Sequence, residues 1–220
     1  MKSPANLPAE DRQREPLPAG RHGLSRAQVS RSQRTRLLHA VVEAVGEKGY
    51  AATTIADVAE RADVSKKTFY VYFDGKDSCF LAAYEAFSDY LLKQMLEAGD
   101  GAPTWRERYA RGVRRYLELL AARPARTRAL MLETLAAGPV VLKRRRAVLK
   151  TWTDHLRQLH AQARSEDRRV ADVPPRLFAI TVGGIDELLR EHIAGSGRIE
   201  HQAELAALIL QNFDWLLRVG

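Results

Sequence analysis

Residues 49–77 read GYAATTIADVAERADVSKKTFYVYFDGKD, and this stretch decides the fold. Gly49 stops the helix before it. Thr54-Ile55-Ala56-Asp57 is a Thr-x-x-Asp cap that opens a short helix through about Arg61. Ala62-Asp63-Val64 is a tight connection. Ser65 is a good N-cap for a further helix, Lys66 to about Tyr72. Asp74-Gly75-Lys76-Asp77 then caps a longer helix to about Ala98. Two short helices joined by three residues, with cations and hydroxyls on the second, have the sequence form of a helix-turn-helix.

The second short helix divides into two sets. Val64 and Phe69 can pack inward, and Phe73 follows Phe69 by four. Ser65, Lys66, Lys67, Thr68, Tyr70 and Tyr72 are left as the polar or amphipathic set. Lysine neutralises phosphates or donates to guanine. Threonine touches base edges or a thymine methyl, and tyrosine hydroxyls reach phosphate oxygens from rigid rings. Thr54 and Lys76 add phosphate donors on either side, and the N-terminus that Thr54 caps itself favours an anion. Read as plain structure, the block is a solvated helix with two stray lysines, and either tyrosine could be partly core.

Working outward, residues from about Ser30 to Lys48 form a helix. Leu37, Leu38, Val41, Val42 and Val45 make one apolar stripe. Ser25-x-x-Gln28 and Ser30-x-x-Gln33 both read as capping boxes, so a short turn of helix can precede it. Residues 1–20 carry four of the nine prolines and few aliphatic side chains, which predicts a flexible tail, set at 1–24. Arg21, Arg26, Arg31, Arg34 and Arg36 surround the start of the first helix. On a mobile arm they could enter a minor groove, and a solvated tail explains them equally well.

Downstream, Thr104-x-x-Glu107, Pro124, Pro139 and Pro174-Pro175 open helices expected at about 105–122, 124–136, 139–165 and 175–194. A last helix is expected over about 199–219. The fold class is therefore all-α, with a helix-turn-helix domain at 25–76 and a helical bundle at 77–220. The final two helices are apolar on more than one face, which a helix buried once in its own core and once against a partner would be. Phe178, Ile185, Leu188, Leu189, Leu205, Leu208, Ile209, Phe213 and Leu216 are the expected contacts of a homodimer built as a four-helix bundle. One large monomer core is the alternative. Trp105, Tyr109, Tyr116, Met131, Trp152 and Phe178 are large side chains from separate helices that could line a ligand cavity, or could simply be core.

Composition limits the alternatives. The chain has 220 residues, 35 Lys+Arg against 27 Asp+Glu, net charge +8 and one cysteine. A lone cysteine excludes a disulfide framework and a thiolate metal cluster. No apolar run reaches the roughly 18–20 residues of a membrane span, and the first twenty residues contain no apolar signal core. These features predict a soluble, cytoplasmic protein. Residues 21–76 hold ten basic and six acidic residues, and residues 102–169 hold seventeen and six. Lys143-Arg144-Arg145-Arg146 with Lys150 dominates the second block. It reads as a solvated face, an extra phosphate contact or an anion site. No nucleophile motif, phosphate loop or metal spacing appears, so neither catalysis, a metal nor a cofactor is expected. Cys79 sits at a helix start but beside Phe80 and Leu81, which suggests packing.

The ordered, gap-free run from Gly49 through Ala59, then Ala62 through Phe73, then Lys76-Asp77, resembles the DNA-binding domain of the tetracycline-repressor-like (TetR) family. The resemblance covers about residues 31–87. It implies a homodimeric regulator, often a repressor, that binds double-stranded DNA and is released by a small-molecule effector in the C-terminal bundle. By the family's pattern, Thr54, Tyr70, Tyr72 and Lys76 match phosphate-contacting positions, and Lys66, Lys67 and Thr68 match groove-facing ones. Asp63 stands where the family often has glycine, and Asp tolerates positive φ better than most residues. A constitutive DNA binder without effector, or a basic helical-bundle enzyme or carrier, are the other classes the sequence admits.

Overall fold

The computed structural model describes residues 25–217. They form nine α-helices and one 3₁₀ turn: α1 Arg26–Lys48, α2 Ile55–Arg61, α3 Lys66–Tyr72, α4 Lys76–Gly99, α5 Trp105–Ala122, α6 Pro124–Met131, the turn Glu133–Leu135, α7 Pro139–Glu166, α8 Pro175–Ser196 and α9 Gln202–Leu216. The expected tail at 1–24, with Arg21, lies outside the described residues.

Helix α1 is one continuous helix that starts earlier than the periodicity suggests. Ser25 forms a complete capping box with Gln28: its Oγ accepts the Gln28 N–H at 3.2 Å, and Gln28 Oε1 accepts the Ser25 N–H at 2.7 Å. Ser30 and Gln33 are not a second cap. Both accept from the Tyr72 hydroxyl, at 3.2 Å and 2.8 Å, across to α3. Thr54 forms the reciprocal box with Asp57 that opens α2. In the α2–α3 turn Asp63 takes φ +51, the left-handed region, and its carboxylate meets Arg36 at 3.3 Å. The side chain that replaces a hydrogen there thus binds back to α1.

Helix α6 is shorter than expected and ends at Met131. The buried Thr134 hydroxyl bonds the Leu130 carbonyl at 3.2 Å. Glu133 reaches the Tyr50 N–H at 2.9 Å and Arg128 at 3.3 Å, which leaves a 3₁₀ turn in place of a further helical turn. Helix α9 starts at Gln202, not Ile199, because Ile199 is buried in the core ahead of it and His201 adopts φ +49.

Two apolar cores organise these helices. The first gathers the α1 stripe (Leu37, Leu38, Val41, Val42, Val45), Val58, Phe69 and Phe73. It continues through Phe80 and Phe87 of α4 to Leu130 of α6 and Val141 of α7. Packing therefore crosses residue 76 without a break. The second core joins α5, α8 and α9 with the C-terminal half of α7 around Leu117, Leu189, Ile193 and Phe213. Glycines mark the closest helix approaches. A Cβ on Gly46 would lie 1.8 Å from the Ala125 carbonyl oxygen, so α1 and α6 meet backbone to backbone. Gly112, inside α5, faces Met95 of α4, whose carbonyl oxygen would lie 2.9 Å from an added Cβ.

Gly46→Ala should therefore destabilise the protein by about 1–3 kcal/mol, the range for overpacking a core. Gly195→Ala, with open space around it, should stay within about 0.5 kcal/mol of wild type. Urea midpoints at constant slope measure both, and equal midpoints for the two variants would contradict the packing at Gly46.

Candidate functional site

The exposed face of α3 is built on a buried anchor. Phe69 is fully buried, and Phe73 packs beside it with ring centroids 5.8 Å apart. Positions 67, 70 and 71 lie about 100–200° around the helix from Phe69, and Lys66 opens its first turn. Lys66 and Lys67 are exposed and make no hydrogen bond or ion pair among the described residues. Tyr70 is 56% exposed and Val71 is 72% exposed. Val71 is missing from the site residues expected from sequence. The signal was present: position 71 is two residues, about 200°, from buried Phe69.

Several polar residues expected to face a phosphate have internal partners. Tyr72 ties α3 to Ser30 and Gln33 of α1. Lys76 Nζ donates to the Tyr50 carbonyl at 2.6 Å and the Thr53 carbonyl at 2.9 Å, and lies 4.3 Å over the Tyr50 ring. It fastens the start of α4 to the α1–α2 loop. The Thr54 hydroxyl and N–H both donate to Asp57 Oδ2. The α2 N-terminus thus already holds a carboxylate, which Lys48 also contacts at 2.6 Å. These bonds hold the Asp57 carboxyl well below the usual range. Ser65 Oγ accepts the Thr68 N–H at 3.0 Å and shares a hydrogen bond with its hydroxyl. The Tyr50 hydroxyl donates to Asp77; burial, then this bond, raises its pKa.

Of the arm arginines, Arg31 is exposed, Arg34 lies 5.4 Å over the Phe73 ring and Arg36 pairs with Asp63. Cys79 is fully buried against the Leu37 carbonyl, and burial pushes its thiol up to about 12, so it is a packing residue.

Between α4, α5, α7 and α8 lies a cavity of 410 Å³, within the range of small-molecule sites. Of the six large side chains proposed from sequence, Tyr109, Tyr116, Met131 and Trp152 line it. Trp105 and Phe178 do not. Trp105 packs edge-on to Phe213 at 5.9 Å under the Arg106 guanidinium, and Phe178 packs on His160 at 5.1 Å. Sequence reasoning did not assign the charged members to this cavity. Arg145 of α7 and Asp186 of α8 form an ion pair in the cavity wall, each side chain at most 16% exposed. Burial pushes the Asp186 carboxyl up, against the pull of Arg145 and Arg190. The basic run is therefore not one solvated face. Arg145 points inward, Arg144 meets Glu85 at 2.9 Å, Lys150 meets Asp154 at 2.6 Å, and Lys143 and Arg146 are exposed.

The residues expected to face a second copy divide likewise. Phe178, Leu189, Leu205, Ile209, Phe213 and Leu216 are buried in the chain's own core, Ile185 and Leu188 are half-buried, and Leu208 is 48% exposed. Helical periodicity marks more than one apolar face but cannot say which is internal. The outward apolar positions of α8 and α9 are Ile180, Leu208 and Trp215, with open space at Gly183 and Gly184.

Comparison with known proteins adds to this geometry. The family model described as bacterial regulatory proteins, tetR family, matches residues 37–83, from the core stripe of α1 to the first turns of α4. The fatty acid metabolism regulator protein of Bacillus subtilis is 26% identical over 86 residues, 39% of this chain and 44% of its own length. An uncharacterized HTH-type transcriptional regulator of the same organism, YerO, is 30% identical over 63 residues, 29% of this chain and 22% of its own length. The chain thus spans less than half the length of these curated relatives. Among solved structures, the fatty acid degradation regulator FadR from Bacillus halodurans superposes with a TM-score of 0.73 at 19% identity, over 84% of this chain and 94% of that one. FadR from Bacillus subtilis, in complex with stearoyl-CoA, gives 0.70 at 19% identity, over 84% and 98%. Both share the fold.

The hydrogen bonds of Tyr72 yield a direct prediction. Tyr72→Phe should lower stability by about 0.5–1.5 kcal/mol, the worth of a typical internal hydrogen bond. Denaturant titration without DNA checks this. Unchanged stability would return the hydroxyl to a role outside the chain.

Proposed function

Because the chain belongs to the TetR family of bacterial regulatory proteins through its 37–83 segment, we propose that it is a ligand-responsive, DNA-binding transcriptional regulator. It binds an inverted-repeat operator as a homodimer, acts as a repressor, and is released by a small-molecule effector. The observation that carries this reading is the exposed α3 face, with Lys66, Lys67, Tyr70 and Val71 free on a helix whose other side is locked by Phe69 and Tyr72.

On duplex DNA, Lys66 and Lys67 meet phosphate or guanine, Tyr70 reaches phosphate, and Val71 offers an apolar contact to a thymine methyl. Thr68, half-buried beside Ser65, supports the start of the helix more than it reaches a base. Lys76 and Tyr72 act as positioning residues. The 25–76 segment is the reading head and 77–220 the effector and dimer region, although one core runs through both. The second copy docks on Ile180, Leu208 and Trp215, where Gly183 and Gly184 allow close approach. It places two α3 helices in successive major grooves roughly 34–36 Å apart.

The effector occupies the 410 Å³ cavity. The walls carry Leu91, Leu92, Met95, Leu149 and Leu159, which suit an elongated aliphatic molecule. The stearoyl-CoA complex of the Bacillus subtilis relative supports the same chemical class. Release is a population shift: the effector must bind better to the arrangement in which the α3 spacing is wrong. Two routes lead from cavity to head. Helix α4 lines the cavity and carries Lys76 at its start. Helix α6 lines it with Leu130 and Met131, touches α1 at Gly46, and is followed by Glu133, which holds the Tyr50 N–H. A DNA-binding regulator of this kind works in the cytoplasm and needs no catalytic group.

Selection from a random-sequence duplex pool, followed by anisotropy titration against salt, tests the reading. Lys66→Ala and Lys67→Ala should each weaken binding, and each lysine on a phosphate should reduce the salt slope by about 1. Val71→Ala should relax preference at one base position. Wild-type behaviour in all three would place the DNA elsewhere. Trp215→Glu should convert a dimer to a monomer in sedimentation, and a monomeric wild type would sink the dimer proposal.

A further inference from the structure

The cavity is polar at its deep end. Along α4 its lining runs from Tyr84 and Ser88 to Leu96 and Asp100, sixteen residues or roughly 24 Å of helix. Helix α5 runs antiparallel beside it, because Gly99 lies against Arg108 and Gly112 against Met95. Leu96, Asp100, Gln158 and Gln162 are the exposed lining residues, so the mouth lies between the C-terminal halves of α4 and α7. The opposite end holds Tyr84, Ser88, Tyr116, Arg145 and Asp186. Between them the wall is mostly aliphatic.

A purely hydrocarbon end group would leave this cluster without a partner. Its charges are already matched, since Arg145 and Asp186 pair with each other. A second charge added there would be buried without a counterion, which costs several kcal/mol. Tyr84 and Ser88 are both buried, one turn apart on α4. The Tyr116 ring is fixed against Trp152, centroids 5.0 Å apart, while its hydroxyl makes no hydrogen bond among the described residues. Asp186 keeps acceptor capacity beyond its bond to Arg145. Tyr116 therefore offers a donor and Asp186 an acceptor at the end of an apolar channel.

We propose that the effector is an aliphatic molecule whose deepest end carries an uncharged hydroxyl, which accepts from Tyr116 and donates to Asp186. This rests on the reading of the cavity as the effector site, and it specifies which end group that site selects.

Calorimetry on the full chain with 1-decanol, 1-fluorodecane and decanoate tests it. The three share a ten-carbon chain and differ at one end. Decanol should bind on the order of 10-fold tighter than fluorodecane, as one satisfied hydrogen bond allows. Tyr116→Phe should abolish that preference, and Asp186→Asn should reduce it. Equal affinity of decanol and fluorodecane for wild type would overturn the proposal. So would a preference that survives both substitutions. Tightest binding by decanoate would assign the end to a carboxylate on Arg145 instead. Binding by none of the three would overturn the cavity as effector site, and the end-group inference with it.

Discussion

The rest of the structure depends on the contact between α1 and α6. At Gly46 the two helices touch without a side chain between them, and the Ala125 carbonyl occupies the space a Cβ would need. This contact makes the helix-turn-helix and the cavity parts of one packed body. The first core runs from Phe69, under the exposed α3 face, to Leu130, in the cavity wall. Close-packed interiors do not deform smoothly. A change in the shape of the cavity must therefore be taken up by rigid-body movement of α4 or α6, and α1 cannot stay indifferent to either.

Polar contacts reinforce the same joint. Glu133 follows α6 and accepts the Tyr50 N–H. Lys76 opens α4 and donates to the carbonyls of Tyr50 and Thr53. The α1–α2 loop is thus held from two sides by residues at the ends of the two helices that line the cavity. Hydrogen bonds to charged groups are worth roughly 1.5–3 kcal/mol each, comparable with a typical allosteric coupling energy of about 1–3 kcal/mol. A shift that strained only these bonds would be large enough to matter.

Much of the fold was legible in the sequence because its signals are local. The boxes at Ser25 and Thr54, the prolines at 124, 139 and 175, and the stripe from Leu37 to Val45 each fix a helix within a few residues. The site was only partly legible, because a side chain's partner is a tertiary fact. Lys66, Lys67, Tyr72 and Lys76 look alike as polar groups near a groove-facing helix. Two of them stay exposed, and two bind α1 or the α1–α2 loop. Ser30 and Gln33 have the spacing of a cap and serve instead as acceptors for Tyr72. In α8 and α9 periodicity reveals two apolar faces but carries no sign that distinguishes core from exposed surface. Ile180 and Trp215 could not be separated from Leu189 and Phe213 without neighbouring helices.

The charge distribution changes meaning once partners are known. The segment 102–169 has the larger surplus of cations, yet many are matched: Arg106 by Asp214, Arg108 by Glu166, Arg144 by Glu85, Arg145 by Asp186 and Arg164 by Asp172. Most of these acids lie outside or at the edge of the basic block, so counting charge by segment exaggerates its field. Exposed pairs of this kind contribute little stability, about 0–1 kcal/mol each. The Arg145–Asp186 pair differs because it is removed from solvent and faces a cavity. Replacing both partners by apolar groups would be expected to cost little stability. Packing alone therefore gives a weak reason for keeping a buried charge pair beside the Tyr116 hydroxyl, and recognition of a polar end group gives a stronger one.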